Sequence, residues 1–229
     1  MYCLTGKEKQ KLRIYIIRHG ETELNALAIL QGWMNASLNE SGRFLSAETG
    51  RALKSVHFDE CISSPLARAR ETAEILLRES GNEDTPLTFD DRIKEISFGT
   101  SEGKKMDEAD LPPEEARKFF TDPFHFRGFP KGETIAQLCE RTQDFMRELI
   151  ARDDGKTYLL ATHGCALRAM LNPLYENPSD FWHHHVPYNC VINIIEAENG
   201  KAKLVEDDRV YYDPKYCVDR YEHSAVNEA

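Results

Sequence analysis

The chain contains the stretch Leu12-Arg13-Ile14-Tyr15-Ile16-Ile17-Arg18-His19-Gly20-Glu21-Thr22. Its first part, residues 12–17, is short and nearly all apolar, which is typical of a strand covered on both faces. In open α/β sheets, ligands bind in the crevice beyond the carboxyl ends of the strands. The two residues that directly follow this predicted strand, Arg18 and His19, are therefore candidates for a functional site.

Similar apolar runs alternate with longer helical patterns along the rest of the chain. The predicted strands are 12–17, 61–63, 158–161 and 191–195, with an edge strand at 202–206. The predicted helices are 40–54, 66–78, 135–152 and 166–175. Asn39 and Ser64 are the candidate N-caps of the first two helices. The alternation predicts an α/β fold, a three-layer α/β/α sandwich around a mostly parallel central sheet.

Residues 91–132 differ from this pattern, because they combine several prolines with the phenylalanines Phe119, Phe120, Phe124 and Phe126. We interpret them as a small helical insertion that folds over the active site within a single domain comprising residues 1–229. The phenylalanines are expected to form the core of the insertion rather than a surface for substrate. The tail after Tyr212 is polar, and we expect it to be at most partly ordered.

Composition excludes several classes of partner. The net charge of the 229 residues is -10, which disfavours nucleic acid and anionic membranes. No apolar run approaches the roughly 20 residues that cross a bilayer, and residues 1–13 lack the apolar region of a secretory signal. Six cysteines without a C-x-x-C pair predict free, buried thiols. We expect a cytoplasmic protein, and the sequence leaves homodimer formation open.

Two further motifs follow predicted strands in the same way as Arg18 and His19. His163 and Gly164 come after the strand at 158–161, so the two histidines are expected to face each other across one crevice. The segment 63–73 ends a strand and begins a helix whose N-terminal amides favour an anion. Arg68, in the first turn of that helix, and Arg18 would then hold phosphate oxygens with their planar guanidinium groups.

These motifs together resemble the histidine phosphatase superfamily, which includes the cofactor-dependent phosphoglycerate mutases and many small phosphatases. The resemblance rests on Arg18-His19-Gly20-Glu21-Thr22 with Asn25, Gly32-Trp33, Leu38-Asn39-Glu40-Ser41-Gly42, the segments 63–73 and 95–103, and His163-Gly164. An R-H-G motif alone is a weak signal, whereas several motifs in the family's order over most of the chain are a strong one.

The resemblance implies roles for individual residues. His19 would be the nucleophile that forms a phosphohistidine, and Glu95 would protonate the leaving oxygen and later activate water. Arg18, Arg68 and His163 would stabilise charge on the phosphoryl oxygens. The positions expected to contact the phosphate or the leaving group are Asn25, Gln31, Gly32 and Gly164. No metal and no cofactor are implied. Taken alone, the residues leave open a solvated Glu95 that pairs with Arg92.

The expected activity is metal-independent hydrolysis of a small phosphorylated metabolite. Two alternatives stay open, a cofactor-dependent phosphoglycerate mutase and a non-catalytic phospho-ligand-binding module of the same fold. His183, His184 and His185 do not predict a metal site, since adjacent residues cannot all face one ion. Six cations in or near the insertion are candidates for binding a second anionic group, although ordinary solvated charges are the favoured interpretation of each one taken singly: Lys104, Lys105, Arg117, Lys118, Arg127 and Lys131.

Overall fold

The computed structural model describes residues 10–183 and 185–218. They form one mixed sheet whose strands are β1 (Leu12–Arg18), β2 (Glu60–Ser63), β3 (Leu87–Phe89), β4 (Thr157–Thr162), β5 (Ile192–Glu198) and β6 (Lys201–Arg209). The spatial order is β3-β2-β4-β1-β5-β6, so β1 and β4 lie at the centre of the sheet. The predicted edge strand at 202–206 is the middle of β6.

The sheet is parallel on one side only. Strand β4 pairs in parallel with β1 and β2, and β2 pairs in parallel with β3. Strand β5 runs antiparallel to both β1 and β6. The prediction of a mostly parallel sheet is therefore confirmed, since among the described strands only β5 runs opposite to the others.

The side chains of β1 divide the core between the two faces of the sheet. Ile14 and Ile16 pack on the face that is covered by Phe145 and Leu167. Tyr15 and Ile17 point to the opposite face, where they pack in a second apolar cluster. This cluster includes residues of the two helices that precede and follow β2 in the chain. Because successive side chains of a strand alternate between faces, a nearly continuous apolar run builds both layers of the sandwich.

The helices are α1 (Glu23–Ala26), α2 (Glu40–Ala52), α3 (Ala67–Ser80), α4 (Pro113–Thr121), α5 (Ile135–Ala151) and α6 (Gly164–Leu171). Asn39 caps α2 as predicted, since its side chain accepts from the Gly42 amide. The prediction of Ser64 as the cap of α3 is wrong. Leu66 occupies that position without a side-chain hydrogen bond, and the Ser64 hydroxyl is bonded to His163 instead.

The predicted insertion is made of short helical segments and loops. It contains α4 and 3₁₀ helices at Asp91–Ile93, Gly99–Ser101, Met106–Glu108 and Pro123–His125. Phe119, Phe120 and Phe126 are buried in an apolar cluster that also includes Ala166 of α6 and Trp182. The cluster holds the insertion against the carboxyl end of the parallel strands, where the site lies.

Two further observations concern the described residues. Their five cysteines are free, and four of them are buried: Cys61, Cys139, Cys165 and Cys190. Cys3 lies outside this part of the chain. None of the helices that the structure describes combines the length and the apolar character needed to cross a bilayer.

Candidate active site

The two histidines leave neighbouring parallel strands at the same level. Arg18 and Thr162 are paired at the ends of β1 and β4, and the His19 amide donates to the Thr162 carbonyl at 2.9 Å. The residues that follow, His19 and His163, therefore emerge side by side. Their ring centroids lie 5.1 Å apart.

The ring of His19 is held in one tautomer. Its Nδ1 lies 2.7 Å from the Gly20 carbonyl oxygen, to which it donates. Arg68 Nε donates to the other ring nitrogen, Nε2, at 3.2 Å. Burial, and then the positive charges of Arg68 and Arg18, hold the pKa of His19 well below its ordinary value of 6.5. His19 is thus a neutral imidazole whose Nε2 carries a lone pair.

Arg68 is fixed by main-chain carbonyls and is almost completely buried. Its Nη1 donates to Met34 O at 2.8 Å and its Nη2 to Gly32 O at 2.7 Å. Gly32 has a φ of +50°, and a Cβ there would lie 2.2 Å from Glu102 Oε1. Glycine at this position therefore allows the backbone turn that presents a carbonyl to Arg68.

Arg18 lies on the other side of His19. Its Nη1 donates to the Pro187 carbonyl, while its buried Nε has no hydrogen-bond partner among the described residues. A Cβ on Gly164 would lie 3.5 Å from this Nε and 3.8 Å from Glu95 Oε2. The absence of a side chain at Gly164 therefore leaves open the space between a guanidinium group and a carboxylate.

His163 occupies a deeper position than the sequence indicates. It is 0% exposed and does not contribute to the pocket lining, although His19 does. Its Nε2 lies 2.7 Å from the Ser64 hydroxyl, and its buried Nδ1 has no hydrogen-bond partner in residues 10–183 and 185–218. Burial, followed by the charge of Arg68, lowers the pKa of His163 well below 6.5. His163 is therefore also neutral, and it lies directly behind the nucleophile candidate.

Glu95 is buried in the pocket rather than solvated. Its Oε1 accepts from the amides of Ile96 at 2.9 Å and Ala166 at 3.2 Å, and its Oε2 accepts from the Cys165 amide at 3.3 Å. Arg92, the alternative partner suggested by the sequence, forms its ion pairs with Asp90, Asp144 and Glu148. The interpretation of Glu95 as a surface glutamate paired with Arg92 is therefore wrong.

Asn25 and Gln31 line the same pocket. Thr22 organises both of them, since its hydroxyl donates to Gln31 Oε1 at 3.0 Å and its side chain forms a capping box with Asn25 at the start of α1. Thr22 is thus the N-cap of α1. In all, eight of the nine predicted site residues line one pocket, and His163 lies behind it: Arg18, His19, Asn25, Gln31, Gly32, Arg68, Glu95 and Gly164.

The remaining wall of the pocket is apolar. It is lined by Ile29, Leu30, Phe98, Met106, Phe119, Phe120, Trp182 and Val186. Phe119 and Phe120 are core residues as predicted, but they also face the pocket. Within the described part of the chain, none of the six candidate cations of the insertion lines it. Lys104 pairs with Asp110, and both Lys118 and Arg127 pair with Glu115.

The residues around His183–His185 do not assemble a metal site among the positions that the structure describes. His183 stacks on Tyr175, with ring centroids 3.6 Å apart. His185 Nε2 lies 3.0 Å from Asp208 Oδ2. His184 lies outside the described residues.

A family model matches residues 14–207, and its description is histidine phosphatase superfamily, branch 1. The chain belongs to this superfamily. The superfamily includes enzymes that hydrolyse phosphomonoesters, and the pocket contains the residue types that this chemistry requires. This histidine phosphatase is therefore an enzyme of the phosphatase type, as its sequence predicts.

Three known proteins illustrate the range of its similarity. The broad-specificity phosphatase YOR283W of Saccharomyces cerevisiae is 32% identical over 208 residues, which are 89% of this chain and 87% of that protein. The probable phosphoglycerate mutase GpmB of Erwinia tasmaniensis is 26% identical over 189 residues, covering 82% and 86%. The solved structure of Bacillus stearothermophilus YhfR has a TM-score of 0.80 at 30% identity, covering 87% of this chain and 98% of that one.

The structure of this histidine phosphatase adds site residues that sequence reasoning missed. Ser64 bonds to His163, and Cys165 lies on the pocket wall, where burial raises the pKa of its thiol. Asn189 Nδ2 donates to the His19 carbonyl at 2.9 Å. Cys165 adjoins the predicted site residue Gly164, and Ser64 lies in the motif 63–73, so the sequence contains a usable signal for both. Asn189 reaches the site only because its loop folds back over β1, and nothing in the sequence indicates this.

Proposed function

We infer that this chain is a metal-independent phosphomonoester hydrolase that acts through a phosphohistidine on His19. The observation that carries the proposal is the state of the His19 ring. Its Nδ1 proton is engaged by Gly20 O, so the lone pair of Nε2 is directed toward the donor group of Arg68. A phosphate placed against Nε2 would take over that donor, and two guanidinium groups would then stabilise the charge on its oxygens.

The reaction follows in two halves. In the first, His19 Nε2 attacks phosphorus, the bond from phosphorus to the organic oxygen breaks, and Glu95 gives a proton to that oxygen. In the second, water attacks phosphorus, the nitrogen–phosphorus bond breaks, and Glu95 takes up the proton that the water loses. Phosphoryl transfer depends mainly on positioning and charge stabilisation, which the four buried groups Arg18, His19, Arg68 and Glu95 supply.

The pocket wall supports a substrate with a single phosphate group. A second phosphate or a carboxylate would meet the side chains of residues such as Phe98, Met106 and Trp182, which offer no positive charge. Desolvating an anion against apolar side chains is unfavourable, whereas an uncharged organic group gains from the contact. The proposed substrate is therefore a small phosphorylated metabolite whose leaving group is uncharged.

The residues of the pocket argue against both alternatives, the phosphoglycerate mutase and the non-catalytic binding module. A phosphoglycerate mutase handles a bisphosphorylated cofactor and a carboxylate, and Arg117, the insertion's candidate for that contact, is not part of the lining. A non-catalytic binding module would not need a buried carboxylate such as Glu95 in the same pocket as His19. Hydrolysis is thus the function that the pocket supports best.

Cytoplasmic location and homodimer formation are two finer proposals. The five described cysteines are free, which is typical of a reducing compartment. Imaging of the tagged full chain tests the location, and light scattering of the purified protein tests the dimer.

Turnover of p-nitrophenyl phosphate in EDTA tests the proposed function. We expect steady hydrolysis that EDTA leaves unchanged and that His19→Ala abolishes. Addition of 2,3-bisphosphoglycerate is expected to give no efficient interconversion of phosphoglycerates. Loss of activity in EDTA, substantial turnover by His19→Ala, or rapid mutase turnover would each overturn the proposal.

A further inference from the structure

Side chains from β4 and α5 hold the main chain of the segment that carries Glu95. Thr162 Oγ1 donates to Ile93 O at 2.8 Å. Arg141 donates to the carbonyls on either side, at 2.8 Å to Arg92 O and 2.7 Å to Lys94 O. Four successive carbonyls, from residue 92 to residue 95, therefore accept from side chains of other elements.

The carbonyl of Glu95 itself is held by two donors. Arg141 Nη2 donates to it at 2.8 Å, and Trp33 Nε1 donates to it at 2.8 Å. Arg141 projects from α5, whereas Trp33 belongs to the loop that follows α1. The main chain of Glu95 is thus fixed from two directions by groups that do not line the pocket.

Arg141 uses its whole guanidinium group in this arrangement. Besides the three carbonyls, its Nε and Nη2 donate to the two carboxylate oxygens of Glu133, both at 2.8 Å. Glu133 Oε2 also accepts from the Ser97 amide at 2.9 Å. The five N–H groups of an arginine are therefore all engaged. The Arg141–Glu133 pair, with side chains 18% and 17% exposed, holds the segment on both sides of Glu95.

We propose that Arg141 is a positioning residue for Glu95, with Trp33 as a second, weaker support. This role rests on the proposed function, because it places the Glu95 carboxylate against the leaving oxygen. Lysine has three donors on a single nitrogen and cannot reach three carbonyls and a carboxylate at once. Loss of Arg141 releases the Glu95 main chain and weakens proton donation, while the phosphate-binding groups stay in place.

This role predicts a dependence on the leaving group. An alkyl phosphate has a poor leaving group and needs the proton from Glu95, whereas p-nitrophenolate departs without it. The parameter to compare is kcat/KM, which covers the steps up to release of the alcohol. A displacement of about 1 Å can cost on the order of 100-fold in rate. Arg141→Met is therefore expected to lower kcat/KM about 10- to 100-fold on an alkyl phosphate and less than about 3-fold on p-nitrophenyl phosphate.

A matched control lies on the same helix. Arg147 is 67% exposed and pairs only weakly with Asp144, at 3.4 Å. Arg147→Met makes the same change in charge and side chain, and we expect it to leave kcat/KM on both substrates unchanged. Trp33→Phe removes one of the two donors to Glu95 O, and a smaller loss confined to the alkyl phosphate is expected.

A double-mutant cycle with Glu95→Gln distinguishes positioning from a general structural effect. In the Glu95→Gln variant the side chain donates no proton, so displacing its main chain no longer affects proton donation. Arg141→Met is therefore expected to cause no further loss of kcat/KM on the alkyl phosphate in this variant. Equal losses on aryl and alkyl phosphates, or additive losses in the cycle, would overturn the proposal. If Arg141→Met does not fold, Arg141→Lys and Trp33→Phe provide the same comparison.

Failure of this proposal can be told apart from failure of the proposed function. A wild-type protein that hydrolyses neither substrate would overturn both. Wild-type turnover that depends on His19 and Glu95, together with leaving-group-independent losses in the Arg141 variants, would overturn only the positioning role.

Discussion

Lowering the pH from about 7.5 to about 5.5 is expected to destabilise the folded protein through its two buried imidazoles. His19 and His163 are 3% and 0% exposed, and burial, then Arg68, depresses the pKa of each in the folded state. In the unfolded chain both are expected to titrate near pH 6.5. The unfolded state therefore binds more protons, so this part of the stability is present above about pH 6.5 and is lost as the pH falls below it.

The size of the loss follows from the unfolded pKa alone. A histidine that stays neutral in the folded state lowers the free energy of unfolding by about 0.06 kcal/mol at pH 7.5 and by about 1.4 kcal/mol at pH 5.5. Two such histidines lower the free energy of unfolding by about 2.7 kcal/mol over this interval. For a domain of this size, that corresponds to a decrease in Tm of roughly 5 to 11 °C.

Urea unfolding at the two pH values measures the loss in the wild type and in two matched variants. His163→Asn removes one buried imidazole and is expected to lose only about half as much stability as the wild type. His57→Asn makes the same change at a side chain that is 82% exposed, and its loss is expected to equal that of the wild type. An identical loss in His163→Asn and the wild type would refute the idea that His163 is held neutral by burial.

Two further predictions concern the pocket. Arg68→Lys removes the planar guanidinium group that donates to His19 and to two carbonyls. We therefore expect kcat/KM to fall by about 100-fold or more. Arg70→Lys, on the exposed face of the same helix, should change it less than about 2-fold, and similar losses in both variants would contradict the role of Arg68. Met106→Arg adds a cation to the apolar wall, and the ratio of kcat/KM for 3-phosphoglycerate to that for p-nitrophenyl phosphate is expected to rise about 5- to 10-fold. An unchanged ratio would show that the wall does not select the leaving group.

The position of the site could be predicted because two His-Gly motifs follow apolar strands. Strand register converts that pattern into proximity, since Arg18 pairs with Thr162 and the next residue of each strand enters the same crevice. Side-chain depth does not follow from register. His163 lies behind His19, and its ring is bonded to the Ser64 hydroxyl. The sequence predicts a helix cap for this hydroxyl.

Strand direction and short edge strands were less predictable. A buried apolar strand has the same composition whether it runs parallel or antiparallel, so residues 191–195 gave no sign that β5 runs against β1. Strand β3 comprises only Leu87–Phe89 and is largely exposed, which leaves no apolar pattern to detect. Its pairing depends on β2 rather than on its own residues.

The support of Glu95 could not be predicted from local sequence. Arg92 is the partner that the sequence offers to Glu95, yet it pairs with Asp90 and with carboxylates of α5. The side chain that holds Glu95 O comes from Arg141, which is 46 positions away. In the sequence, Arg141 is one of several polar residues on an amphipathic helix, and only the folded position of α5 distinguishes it from Arg147.

Trapping the phosphorylated enzyme is the most direct test of the central role of His19. The protein is mixed with p-nitrophenyl phosphate in EDTA, quenched in alkali within the first turnover, digested and mapped by mass spectrometry. We expect a single phosphoryl group on His19, lost when the digest is acidified and absent from His19→Ala. A phosphoryl group on another residue, or normal turnover by His19→Ala, would contradict the account.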